Sequence, residues 1–151
     1  MIARGGLRGW KSRIAVALLL STLGLGYGVP SALAATLAVR VSPSPIHLRS
    51  TYRIQISGSF NGRRGYLVAF IQYSSKQCKA GVSQELYRTH DTGGAFYAGT
   101  IRRNPFQRSR WFHARSRSTR RVCAYLFSRR VKPGTHVNPL ARASVLYSVV
   151  S

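Results

Sequence analysis

The sequence predicts an all-β domain, an antiparallel two-sheet sandwich of about seven strands, behind an N-terminal signal helix that is cleaved. Three observations lead there. Apolar and polar residues alternate with a period of two through much of residues 36–150, the period of a half-buried strand. Turn-forming pairs such as Asn61-Gly62 and Asn104-Pro105 punctuate that alternation at short intervals. The stretch before residue 35 differs from all of this, with a basic start, an apolar middle and small residues at its end.

The leader carries Arg4, Arg8, Lys11 and Arg13 without an acid, then an apolar run from Ile14 to Val29. Ala32 and Ala34 supply small side chains that place cleavage after Ala34. An uncleaved anchor is the alternative, but a span needs roughly 20 mostly apolar residues, and this run has 16, three of them glycine. No cysteine lies near the cleavage point and no twin arginine precedes the run, so the general secretory route is expected. Two regions follow: 1–34, a secretory signal peptide, and 35–151, a single domain of 117 residues. The mature chain has no transmembrane segment in this reading and is secreted or held at the cell envelope.

The elements follow in order. In "TLAVRVS", Leu37, Val39 and Val41 share one face, and Pro43 and Pro45 then break the strand. In "TYRIQIS", Tyr52, Ile54 and Ile56 oppose Thr51, Arg53, Gln55 and Ser57. Asn61-Gly62 suits the positive φ values of a hairpin turn. "YLVAFIQY", Tyr66 to Tyr73, is apolar on both faces until Gln72, which makes it the central, best-buried strand. Cys78 to Arg88 allows a short helix or turn. Strands are expected again over Ala95–Ile101, Trp111–Ser116, Arg121–Ser128 and Ala143–Val150. A small barrel is the alternative architecture.

The mature part holds 20 basic side chains against two acidic ones, Glu85 and Asp91, a formal charge of +18. Such a chain repels itself when compact and attracts anions. Its two cysteines, Cys78 and Cys123, form an even count in an exported chain, which indicates one disulfide; a reactive thiol or a metal ligand is the alternative.

The order "ISGSF", "YLVAFIQY", Cys78, "GAFYAGTI", "WFHAR", "RRVCAYL" resembles that of small exported Ig-like domains of GC-rich bacteria. In these a cysteine after an early core strand is partnered by one in a Cys-Ala-Tyr-Leu strand. The resemblance covers about residues 36–150. It implies an Ig-like antiparallel β-sandwich and the Cys78–Cys123 disulfide, tying distant parts of the chain across the core, and it implies no activity. The chain departs from immunoglobulin domains in having no Trp on the central strand. Arg121 also stands where a corner Tyr is expected, two residues before the second cysteine.

Most catalytic chemistry finds no residues to carry it. Glycoside hydrolysis calls for paired carboxylates, and Glu85 and Asp91 are the only two in the protein, both in a turn-rich segment. His90 adjoins Asp91, but neighbouring strand residues point to opposite faces, and no GxSxG elbow presents a serine. His47, His90, His113 and His136 stand singly, without metal-ligand spacing. No glycine pattern cradles a phosphate. We therefore assign no catalytic residue, no metal site and no cofactor, and expect a non-enzyme.

What remains is "RSRWFHARSRSTRR", Arg108 to Arg121, with six arginines, two adjacent aromatics and no acid. Split by strand parity, Phe112 and Ala114 face the core while Trp111, His113, Arg115 and Arg117 face out, with Arg120 and Arg121 following in a turn. An aromatic among guanidiniums can stack on and pair with an anionic polymer. These six residues, Trp111, His113, Arg115, Arg117, Arg120 and Arg121, are the candidate anion-binding set. The plainer alternative is a solvated basic face that keeps a strand edge soluble. Outside the cell the partners would be anionic wall polymers, acidic polysaccharides or anionic lipids, with nucleic acid bound only non-specifically. The competing functions are a cationic antimicrobial protein that disrupts membranes, and a small hydrolase using His90 or His113 with Asp91. Export predicts that N-terminal sequencing of the secreted protein begins at Ala35-Thr36-Leu37; a retained Met1 would identify the leader as an anchor.

Overall fold

A computed structural model of the chain describes residues 34–81, 95–132 and 135–151. The expected signal peptide, 1–34, lies outside these residues except for Ala34, as do Glu85, His90 and Asp91 and the greater part of the helix or turn expected over Cys78–Arg88. The described residues are all β. The strands are β1 (Thr36–Ser42), β2 (Ile46–His47), β3 (Thr51–Ser59), β4 (Gly65–Tyr73), β5 (Ala95–Ile101), β6 (Phe106–His113), β7 (Ser118–Phe127) and β8 (Ala141–Val150). They form a three-stranded sheet, β1-β3-β6, and a five-stranded sheet, β2-β8-β7-β4-β5.

The alternation read from the sequence is the alternation observed in β3, where Tyr52, Ile54 and Ile56 are buried between more exposed neighbours. Three details depart from expectation. Ile46–His47, between the breaking prolines and the next strand, pairs parallel to the end of β8, so the sandwich is not wholly antiparallel. β6 begins at Phe106, five residues before the alternating stretch singled out above, and ends at His113. The Asn61-Gly62 turn does use a positive φ, 132° at Gly62. It joins β3 to β4, however, and these belong to different sheets, so it is an arch across the sandwich and not a hairpin.

That arch is clamped from the opposite crossing. The Asn104 side chain, between β5 and β6, accepts a hydrogen bond from the Phe60 amide at 3.1 Å and donates to the Phe60 carbonyl. Close by, a Cβ on Gly58 would collide with the Thr36 carbonyl and crowd the Phe106 ring, so β3 has room only for glycine there.

Two hydrophobic cores share the five-stranded sheet. Its inner face contributes Leu67 and Ala69 from β4 and Val122, Ala124 and Leu126 from β7 to the core between the sheets. Ala69 lies directly opposite Ala124, and Ile54 and Ile56 of the facing sheet complete the same cluster. The outer face carries a second cluster of Val68, Phe70, Cys123, Tyr125, Phe127 and Val131. Its rings stack in series, Phe70 on Tyr125 at 5.8 Å and Tyr125 on Phe127 at 6.3 Å between centroids. β4 is thus the doubly buried strand its composition predicts.

The disulfide forms between Cys78 and Cys123. Its position corrects the expectation that it ties the chain across the core. Cys123 belongs to the outer cluster, so the bridge fastens the segment after β4 onto the outside of the five-stranded sheet. The Tyr125 hydroxyl adds a second tie, donating to the Lys79 carbonyl at 2.8 Å. Closing a loop of this length restricts the unfolded chain by about 4 kcal/mol.

Burial pushes the Tyr125 phenol up from 10.0 to about 12, against the opposing charge of Arg142. Burial raises Tyr147 further, aided by its 3.1 Å hydrogen bond with Tyr52. Both shifts favour the protonated form in the folded protein. The contribution of Tyr125 to stability is complete below pH 10 and is lost as pH rises through about 12, while that of Tyr147 persists to higher pH. Urea denaturation should therefore show stability falling across that window, and Tyr125→Phe should flatten the fall; an unchanged slope in the variant would contradict this.

Candidate functional site

The outer face of the three-stranded sheet carries the opening of the arginine run. On β6, Phe112 turns inward, stacked at 5.5 Å on Tyr52, and Trp111 and His113 turn outward. Trp111 is 65% exposed, a large apolar surface left to solvent. Opposite it on β3 stands Arg53, its guanidinium 6.0 Å from the indole centroid. Arg53 Nη2 donates to Gln55 Oε1 at 2.7 Å, while its Nε is buried with no hydrogen-bond partner. Gln55 in turn lies opposite Arg40 of β1. Arg40, Arg53, Gln55, Trp111 and His113 therefore share one face. Arg53 and Arg40 are the members that sequence parity alone does not bring to Trp111; both stand at outward positions of their strands, but only the register reveals the neighbour.

The run then turns the end of the sandwich. His113, Arg115, Ser116, Ser118 and Arg120 line a cleft of about 200 Å³ between the ends of the sheets, whose floor includes Tyr52 and Tyr147. Arg115 and Arg117 are exposed in the β6–β7 connection. Arg120 and Arg121 are not in a turn, as expected, but inside β7, where adjacent residues face opposite ways. Arg120 takes the inner side, 4.4 Å from the centroid of the Tyr73 ring, with Nε donating to Ser118 Oγ at 3.3 Å. Arg121 takes the outer side of the five-stranded sheet, next to Arg142. Of the six candidates, Trp111 and His113 share the sheet face, and His113, Arg115 and Arg120 share the cleft. Arg117 is exposed beside them in the chain, and Arg121 is on the opposite sheet.

Two arginines that flank the set do something else. Arg108 and Arg110 have inward parity on β6, an edge strand, and their long side chains reach across the seam to β5. Arg108 Nε donates to the Tyr97 hydroxyl at 3.1 Å, and Arg110 Nη1 donates to the Phe96 carbonyl at 2.6 Å. Arg110 also stands 5.7 Å from the Phe112 ring centroid, and Phe96 meets Phe112 edge-on at 5.3 Å. These guanidiniums lace the open edge of the sandwich while their aliphatic stems cover its apolar side.

No carboxylate side chain occurs among the described residues, since Glu85 and Asp91 are the only acids of the sequence. The arginines accordingly settle on carbonyls, hydroxyls, an amide and ring faces, which leaves their formal charge uncancelled among the described residues. Among the described residues no three of His, Cys, Asp or Glu come together as a metal site.

No protein-family model matches the chain, and no curated protein matches it. Among solved structures, it is similar to the CARDB domain of a Pyrococcus furiosus protein, at 10% identity over 78% of this chain and 94% of that one, with a TM-score of 0.48. A crystal structure of the same domain in complex with di-metal ions gives 13% identity over 77% and 87%, with a TM-score of 0.43. Similarity also extends to an alkylpurine DNA glycosylase of Pseudomonas fluorescens bound to DNA with an abasic-site analogue, at 12% identity over 78% and 31%, TM-score 0.42. Likeness at this level transfers neither ligand, metal nor activity to this chain.

Within residues 35–151 Trp111 is the only tryptophan. An exposed indole beside an uncompensated guanidinium should be quenched by iodide more efficiently than by caesium, and Arg53→Gln should narrow the difference. Equal quenching by both ions would mean that Arg53 does not set the local potential.

Proposed function

We propose that this protein is an exported, non-catalytic binding module that associates with anionic polymers at the cell envelope. The contact surface is the β3–β6 face and the cleft that continues from it. One observation carries the proposal: an exposed indole flanked by a guanidinium on a sheet face with no carboxylate among the described residues. A stacking surface among fixed positive charges suits a flexible polyanion, because the ring holds an apolar or sugar face while guanidiniums pair with its phosphates or carboxylates.

The residues take distinct roles. Trp111 provides the platform, with Arg53 and Arg40 beside it. His113 joins that platform to the end cleft, where Arg115 and Arg120 would receive a charged substituent of the polymer. Flanking arginines raise the local anion concentration without selecting among anions.

The test is a salt titration of binding to wall teichoic acid, with DNA as comparator, by the oxidised protein and by Trp111→Ala/Arg115→Ser/Arg117→Ser. Counterion release alone makes affinity fall linearly with salt on logarithmic axes for either ligand. A recognition surface should prefer teichoic acid by about tenfold or more, and the triple variant should abolish the preference. Equal binding of both ligands, with the variant losing only what its reduced charge dictates, would reduce the face to a solvated basic surface.

A further inference from the structure

The residue that the β3–β6 surface leaves out points to a second site. On the outer face of the five-stranded sheet, β7 and β8 place Cys123 opposite Ser144 and Tyr125 opposite Arg142. Arg121 lies one row beyond Cys123 on the same face, so Arg121 and Arg142 flank the Ser144 hydroxyl from opposite sides. Gln77 and Cys78, held down by the disulfide, form the remaining wall of a cleft of about 340 Å³ lined by these residues. We propose that this cleft is a discrete oxyanion site that takes a phosphate group.

Three features support it independently of the Trp111 face. Arg121 Nε is buried with no hydrogen-bond partner. The only other bond from that guanidinium, Nη2 to the Ser74 carbonyl, is stretched to 3.5 Å. A buried donor left unmatched costs stability, and an acceptor arriving in the cleft recovers it. Second, Arg142 makes no hydrogen bond among the described residues and is exposed, so its full fork is available. Third, donors converge from β7, β8 and the disulfide-tethered segment. A planar carboxylate saturates one guanidinium with its two oxygens. A tetrahedral phosphate has acceptors for two guanidiniums and a hydroxyl at once. The volume is about ten times the ~30 Å³ share of a water molecule, so the cleft has room for a phosphate and a small esterified group.

The test uses the oxidised protein and calorimetric titration with inorganic phosphate, sodium chloride being adjusted to hold ionic strength constant. Saturable binding is expected. Arg142→Gln should weaken it by about tenfold or more. Arg121→Lys, which keeps the charge but loses the fork, should weaken it comparably. The control Arg63→Gln/Arg64→Gln, which removes more charge from the distant β3–β4 arch, should leave it unchanged, as should Trp111→Ala. Glycerol 3-phosphate and a glycerol phosphodiester then distinguish a terminal phosphate from one within a polymer backbone, and tighter binding of either upholds the site. Absence of saturation at millimolar phosphate, or equal losses in the cleft variants and the arch control, would overturn it. Because phosphate binding is read on the opposite sheet from Trp111, failure here and failure of the polymer-binding surface are separate results.

Discussion

Burying both faces of β7 constrains nearly everything else in the fold. Val122, Ala124 and Leu126 enter the core between the sheets, while Cys123, Tyr125 and Phe127 enter a second core on the outside. A strand with no wet side needs cover on both, and a three-stranded partner sheet supplies only one. The other comes in part from chain that follows β4, fastened by the disulfide and by the Tyr125 hydrogen bond to Lys79. In immunoglobulin domains the comparable bridge joins two sheets. Here it joins a sheet to its covering, and the inner core closes without a bridge, by packing of aliphatic side chains with Tyr52, Phe60, Phe106 and Tyr147.

The same strand explains how so much positive charge is accommodated. β7 begins with arginines and ends in aromatics, so its charged end lies at the rim, where Arg120 rests on Tyr73 and Arg121 opens onto the outer cleft. At the opposite seam, Arg108 and Arg110 cross from one edge strand to another. Four arginines thus have three different employments: a ring contact, an open cleft and a seam. Their common membership of one arginine-rich run in the chain conceals this.

Much of the scaffold was legible in the sequence and much of the site was not, for one physical reason. Alternation reports which side of its own strand a residue occupies, so the inward sets of β3 and β6 and the doubly apolar β4 could be read directly. It does not report register. Arg53 reaches Trp111 only because β3 and β6 align them, and Arg121 and Arg142 line one cleft only because β7 and β8 set them on either side of the Cys123–Ser144 row. Parity also misleads where a long cation sits at a sheet edge: Arg108 and Arg110 point inward, yet their charged ends leave the core. Ile46–His47 was hidden by its prolines, since two residues paired to a distant strand end show no periodicity.

The manner in which the arginines are satisfied bears on behaviour in acid. Proteins unfold at low pH chiefly because carboxylates that hold native contacts become protonated. In the described fold no side-chain contact depends on a carboxylate. The seam and the rim are held by amide carbonyls, hydroxyls and aromatic faces, none of which takes up a proton in the acid range. Acidification removes none of these bonds between described residues. These described contacts are thereby indifferent to the protonation of carboxylates, and acid reaches them only through the growing net positive charge of the chain.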